Sequence, residues 1–117
     1  DYAVAVDTNS AVSPDVKDDE GTEIGKGVQI DIAPILDNEL TERLIETAKA
    51  EKIDYQLFVS GRKTGTDADE LATVGAGIRT ALLSLPIRFM HHPVEVADIS
   101  DIEKTASLLE AFVKGVK

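Results

Sequence analysis

Thr80-Ala81-Leu82-Leu83-Ser84-Leu85 is the stretch that decides the fold class. Its apolar residues fall on both parities, so neither face of an extended segment would meet water, which is the pattern of a strand buried on both sides. Before it, Thr66 or Asp67 can cap a short helix running through about Val74, and Gly75 and Gly77 stop it. Further upstream, Asp54 to Ser60 carries β-branched and aromatic residues and ends in the turn Gly61-Arg62-Lys63-Thr64-Gly65, giving strand and then loop. A helix starting near Asp37 or Asn38 would place Leu36, Leu40, Leu44, Ile45 and Ala48 on one face and Glu42, Glu46, Lys49 and Lys52 in water.

Val28-Gln29-Ile30-Asp31-Ile32 alternates apolar and polar residues, the period of a half-buried strand, and Pro34 limits how far it can run. Pro14 to Gly27 is rich in charge and glycine and reads as a surface loop. Tyr2 to Val6 is apolar throughout, as for a strand covered on both faces, and is expected to end at Asp7 before the turn-formers Thr8, Asn9 and Ser10. At the other end Ser100-Asp101-Ile102-Glu103 has the form of a capping box, and Ile102, Ala106, Leu109 and Val113 recur at helical spacing. Strands alternating with helices point to an α/β layered fold with a largely parallel sheet.

The 117 residues suffice for one domain with a single core. A net charge of −10 repels phosphate backbones and anionic headgroups, which argues against nucleic acid and membrane surfaces as partners. Without cysteine there are no disulfides, thiolate ligands or thiol nucleophile, and a cytoplasmic location fits. No apolar run approaches the roughly 20 residues needed to span a bilayer. The chain opens on Asp1 directly before an apolar run, so a segment of a longer polypeptide is expected.

In open α/β sheets the ligand crevice lies beyond the carboxyl ends of strands. Asp7, Gly65-Thr66-Asp67 and His91 all stand just past an expected strand. A carboxylate and an imidazole so placed are donors suited to zinc, cobalt or manganese. On the residues alone, Asp7 serves equally well as a turn or cap residue. For His91 and His92 an uncommitted surface pair is the more frequent reading, and adjacent residues in extended chain point apart, so at most one would bind a given ion.

Asp69 and Glu70 are accounted for by the dipole of the helix they begin. Asp15, Asp18, Asp19 and Glu20 lack the ligand spacing of a calcium loop. Gly21-Thr22-Glu23-Ile24-Gly25-Lys26-Gly27 has one residue too few for a nucleotide-binding P-loop, and no Gly-x-Ser-x-Gly elbow is present.

Taken in order, Gly65-Thr66-Asp67-Ala68, Gly75-Ala76-Gly77-Ile78 and Thr80 through His91 resemble the glutamyl and tetrahedral aminopeptidases, a family also labelled endoglucanase M. His91-His92-Pro93-Val94-Glu95 and Asp98-Ile99-Ser100-Asp101-Ile102-Glu103 parallel the family's closing motifs. Ala5-Val6-Asp7-Thr8 is similar to its strand ending in a metal-binding aspartate, and Gly25-Lys26-Gly27 to its Gly-Lys-Gly turn. Arg79, His92 and Thr8-Asn9 depart from the common residues at their positions.

The resemblance implies a three-layer αβα sandwich with a mixed, largely parallel sheet, residues 1–117 being the C-terminal segment of a metallopeptidase catalytic domain. It implies Asp7 on one metal and His91 on the other of two divalent ions, zinc or cobalt, with Thr66 and Asp67 toward the substrate. It further implies peptide substrates and a homo-oligomer, dodecameric in relatives. The family's His-x-Asp motif, bridging aspartate and Glu-Glu pair, whose first member is the general base, belong upstream of Asp7 and have no counterpart in these residues. No catalytic residue is therefore expected in this segment, and the isolated chain is expected to be inactive. Two other readings stay open: a non-catalytic α/β interaction module and, ranked last, glycan hydrolysis.

Overall fold

The computed structural model describes residues 1–14, 16–17 and 21–115. Asp15, Asp18, Asp19 and Glu20, the acidic group set aside above, lie outside them. The elements in chain order are β1 (Tyr2–Ser10), β2 (Val28–Ile32), α1 (Asn38–Ala50), β3 (Tyr55–Val59), α2 (Asp67–Thr73), β4 (Arg79–Ile87) and α3 (Ile99–Gly115). The strands make one sheet in the order β1-β4-β2-β3. β1 runs parallel to β4 and β2 to β3, while β2 and β4 are antiparallel, so the sheet is mixed.

Side chains of successive strand residues alternate between the two faces. Val28, Ile30, Ala81 and Leu83 point to one side and pack against Leu40, Leu44 and Ala48 of α1 and Leu108 and Phe112 of α3. Ala5 and Leu82 point to the other and pack against Ala33, Leu36 and Ala68, the last from α2. Helices on both faces complete the expected αβα layering. Each fully buried Leu or Ile in the larger cluster contributes roughly 1.5–3 kcal/mol by leaving water. The layers are unequal, because α2 has only 7 residues and leaves much of its side of the sheet to loops and polar side chains.

Capping follows the local chemistry closely at α1 and α2. Asp37 accepts from Leu40 N at 2.9 Å. Its carboxylate also takes Arg79 Nε at 2.9 Å and Nη2 at 3.1 Å, and these bonds hold it well below the usual range, at about 2. Thr66 caps α2 by accepting from Ala68 N at 3.2 Å. Asp69 does more than complement the helix dipole: it accepts from Thr64 N at 2.9 Å and Gly65 N at 2.8 Å, tying down the turn ahead of the helix.

Five expectations need correction. β1 does not stop at Val6 but continues to Ser10, so Asp7 lies within the strand. The expected cover on both faces of β1 holds only in part: Val4 packs against one cluster and Ala5 is buried in the other, whereas Val6 is 52% exposed. Thr22, assigned to a surface loop, is buried and donates to Gln29 Oε1 at 2.8 Å. Leu36 joins the α2-side cluster instead of the α1 face.

The largest departure is α3. Its buried residues are Asp101, Thr105, Leu108 and Phe112, whereas Ile102 and Val113 of the expected face are exposed. Its first turn is closed by Asp98, whose Oδ1 accepts from Ser100 N at 2.7 Å, and not by the Ser100–Glu103 box. The shift has a physical cause: Asp101 turns inward because both its oxygens are needed by the Gly25–Gly27 turn. Its Oδ2 accepts from Gly25 N at 2.7 Å and its Oδ1 from Gly27 N at 3.0 Å.

Candidate functional site

Cross-strand partners share a face of the sheet, so register decides which polar side chains meet. Asp7 of β1 lies opposite Ser84 of β4, Ser84 opposite Gln29 of β2, and Asp31 opposite Phe58 of β3. All five therefore point to the side covered only by α2. A cleft of about 190 Å³ opens there. Its walls are Asp7, Thr8 and Asn9 of β1, Asp31 and Ser84 at the sheet, Phe58 and Ser60 from β3, the Thr64-Gly65-Thr66 turn, and Met90 with His91.

Three of the four site residues expected from the sequence thus border one cleft: Asp7, Thr66 and His91. Asp67 opens α2 beside it, is exposed, and is not part of the lining. His92 is also outside it, its Nδ1 lying 3.0 Å from Met90 O and its ring edge-on to Phe89.

Local structure explains how His91 reaches the cleft. Arg88 and Val96 exchange two backbone hydrogen bonds, at 2.8 and 3.1 Å, closing the neck of a loop just past β4. Inside the loop Phe89 and His91 adopt positive φ, 61° and 68°, a conformation that turns the chain sharply instead of extending it. The extended-chain argument for separating the two histidines therefore does not apply; the turn separates them. Glu95 Oε2 accepts from His91 N at 3.1 Å and braces the loop from within.

Asp7 is partly exposed, and its Oδ1 accepts from Thr8 N at 2.7 Å. A carboxylate and an imidazole on one cleft match a divalent cation in donor chemistry. They do not match it in number: among the described residues no group of three or more His, Cys, Asp or Glu is placed to hold an ion.

The residue that the sequence reading missed is Asp31. It is buried, accepting from Ser84 Oγ at 2.6 Å and from Gln29 Nε2 at 2.7 Å. Gln29 in turn accepts from Thr22 Oγ1 at 2.8 Å and Asn9 Nδ2 at 3.3 Å. Alternation marked Gln29 and Asp31 as a solvated face, yet both are buried in a satisfied polar network, of which Asp31, Ser84 and Asn9 line the cleft. Burial pushes the Asp31 carboxyl up to about 6, against the hydrogen bonds from Ser84 and Gln29, and with a further push from the Asp7 charge.

The sign for stability follows from linkage. A carboxyl with a raised folded-state pKa favours the fold when protonated, so this site stabilises as pH falls from about 6 toward 4 and penalises the fold above 6. Asp31→Asn keeps hydrogen bonds to both neighbours without the charge. It should raise stability at pH 8 by about 1–2 kcal/mol and leave it nearly unchanged at pH 4. Urea melts at the two pH values check this, and an equal effect at both would refute it.

Comparisons with known proteins bear on the site as follows. Residues 1–108 match the family model described as M42 glutamyl aminopeptidase. The lysyl aminopeptidase of Pyrococcus furiosus is 37% identical over 117 residues, which is 100% of this chain and 34% of that protein. A TET aminopeptidase from the marine sediment archaeon Thaumarchaeota archaeon SCGC AB-539-E09 superposes with a TM-score of 0.91 at 26% identity, covering 100% of this chain and 34% of that one. The Pyrococcus horikoshii TET1 peptidase, which can assemble into a tetrahedron or a large octahedral shell, aligns with a TM-score of 0.70 at 31% identity over 94% of this chain and 32% of its own. The chain spans about a third of the length of these relatives. With the match running through both the Asp7 strand and the His91 loop, the chain belongs to the M42 glutamyl aminopeptidase family.

Proposed function

We propose that this chain supplies the C-terminal part of the catalytic domain of a metal-dependent aminopeptidase that removes N-terminal residues from peptides. The observation that carries the reading is the convergence of Asp7 and His91 on one cleft, within the segment matched to the family. The family assignment and the length of the relatives support a site completed by groups outside these residues.

In this reading Asp7 holds one divalent ion and His91 the other, zinc or cobalt, as oxygen and nitrogen donors of suitable hardness. Bound metal would supply an activated water for attack on the first peptide carbonyl. Within the chain, Thr8 N orients the Asp7 carboxylate and Glu95 steadies the His91 loop. Thr66 lines the cleft on the substrate side, and Asp67 would shape the adjoining rim from the start of α2. The general base is a glutamate outside this chain. Self-association into a homo-oligomer is supported by the shells of the P. horikoshii peptidase. A cytoplasmic location agrees with the lack of cysteine, and among the described residues no helix is long and apolar enough to cross a membrane.

The test uses the full-length protein with Asp7→Ala and His91→Ala introduced separately. Each should lose metal, measured by elemental analysis, and reduce turnover of an aminoacyl p-nitroanilide by about 100-fold or more. Full metal content with normal turnover in both variants would overturn the assignment. It would favour instead an α/β interaction module.

A further inference from the structure

Met90 carries the only sulfur atom of the chain, which has one methionine and no cysteine. The residue is half-buried and lines the cleft, held between Phe89 and His91, whose positive φ values fix the turn of the loop. From β1, Thr8 donates its hydroxyl to the Met90 sulfur at 3.9 Å, a contact between residues 82 positions apart. A thioether is a weak acceptor, so the bond by itself contributes little. Its place matters more. Thr8 N donates to Asp7 Oδ1, and Met90 directly precedes His91. Thr8 and Met90 thus join the strand that carries one candidate metal donor to the loop that carries the other.

A thioether that small solutes can reach is oxidised by peroxides. The sulfur lone pair attacks one oxygen of hydrogen peroxide, and an S–O bond forms as the O–O bond breaks. The attacked oxygen passes its proton to the departing one, so the thioether is oxidised to methionine sulfoxide and the peroxide is reduced to water. The product is polar where the thioether was apolar, and its oxygen is a strong acceptor. Directed at Thr8, that oxygen would replace the 3.9 Å contact to sulfur with an O–H···O bond of about 2.8 Å. It would also take up room in a cleft of about 190 Å³ that Asp7 and His91 border.

We propose that Met90 is a site of reversible oxidation, and that its sulfoxide attenuates activity by tightening the link to Thr8 and narrowing the way to Asp7 and His91. The inference rests on the aminopeptidase reading and adds to it a modification site and a class of oxidant, a peroxide. The oxidation leaves Asp7 and His91 covalently unchanged, so metal is retained while substrate access is impaired.

The experiment treats the full-length, metal-loaded protein with hydrogen peroxide and maps oxidised residues by peptide mass spectrometry. Turnover of aminoacyl p-nitroanilides and metal content are measured on the same samples. A gain of one oxygen at Met90 should accompany a fall in kcat/KM of about 5-fold or more, chiefly through KM, with metal content unchanged. Methionine sulfoxide reductases A and B with a thiol reductant should reverse both the mass gain and the loss. Met90→Leu, compared with its own untreated activity, should keep most of it at the same dose; the reductase reversal on the wild type serves where that variant fails to fold. An equal fractional loss in Met90→Leu, a sulfoxide at Met90 with turnover unaffected, or a Met90 that stays unmodified would each overturn the inference while leaving the aminopeptidase reading standing. An untreated protein that hydrolyses none of the p-nitroanilides would overturn that reading, and this inference with it.

Discussion

Asp101→Ala is expected to lower folding stability by about 2–4 kcal/mol, although the residue does not line the cleft. The side chain is fully buried, and its two oxygens accept backbone bonds from Gly25 N at 2.7 Å and Gly27 N at 3.0 Å. Hydrogen bonds to a charged acceptor contribute roughly 1.5–3 kcal/mol each, and a buried donor left without a partner bears its full desolvation cost. The two donors differ: Gly25 is exposed and can turn to water, whereas Gly27 is buried and cannot. Asp101→Asn keeps one acceptor oxygen and should cost roughly half as much. Urea unfolding measures the difference, and amide exchange at Gly27 should accelerate in the alanine variant. A loss under about 0.5 kcal/mol would show that the clamp contributes little.

Gly27→Ala should be at least as damaging, at about 3 kcal/mol or more, and should leave little folded protein. Gly27 has φ +105°, and a Cβ there would lie 2.1 Å from Asp54 O and 2.4 Å from Asp54 C. These are backbone atoms, so no rotamer change can clear them. The same Asp54 carbonyl accepts from Val28 N at 3.2 Å, and moving it would open the first bond between β2 and the segment leading into β3. Gly25→Ala is the internal control. Its φ is +85°, but the Cβ would meet only Asp98 Oδ2, at 3.4 Å, so the expected cost is the conformational one, about 1 kcal/mol. Equal melting temperatures for the two alanine variants would refute the steric argument.

Both variants act on a turn that holds β2 in place, and β2 carries Asp31 to the cleft floor. A residue on α3 therefore supports the site through the Gly25–Gly27 turn rather than by touching it. This link joins residues 76 and 74 positions apart in the chain. The helical spacing of Ile102, Ala106, Leu109 and Val113 carried no trace of it. Periodicity finds the most apolar face, and here the buried face includes a carboxylate.

What the amino-acid sequence determined by itself was part of what is governed by neighbours along the chain. The strand Thr80 to Leu85, the starts of α1 and α2 to within one residue, the Leu40-Leu44-Ala48 stripe and the α/β class follow from local period and local hydrogen bonding, while the choice of Asp37 over Asn38 and of Thr66 over Asp67 as caps came from the structure. The motifs around Asp7 and His91 were enough to point to the family. The tertiary structure alone decided which residues are inside for reasons other than hydrophobicity. Asp31 and Gln29 read as a wet face because alternation reports polarity, yet register with Ser84 and cover by Thr22 bury them in a satisfied network. Asp101 is merely a spacer in the expected capping box, yet two distant glycine amides draw it into the core. A polar side chain is buried only when partners from elsewhere in the chain meet its hydrogen bonds, and those partners are set by packing and register.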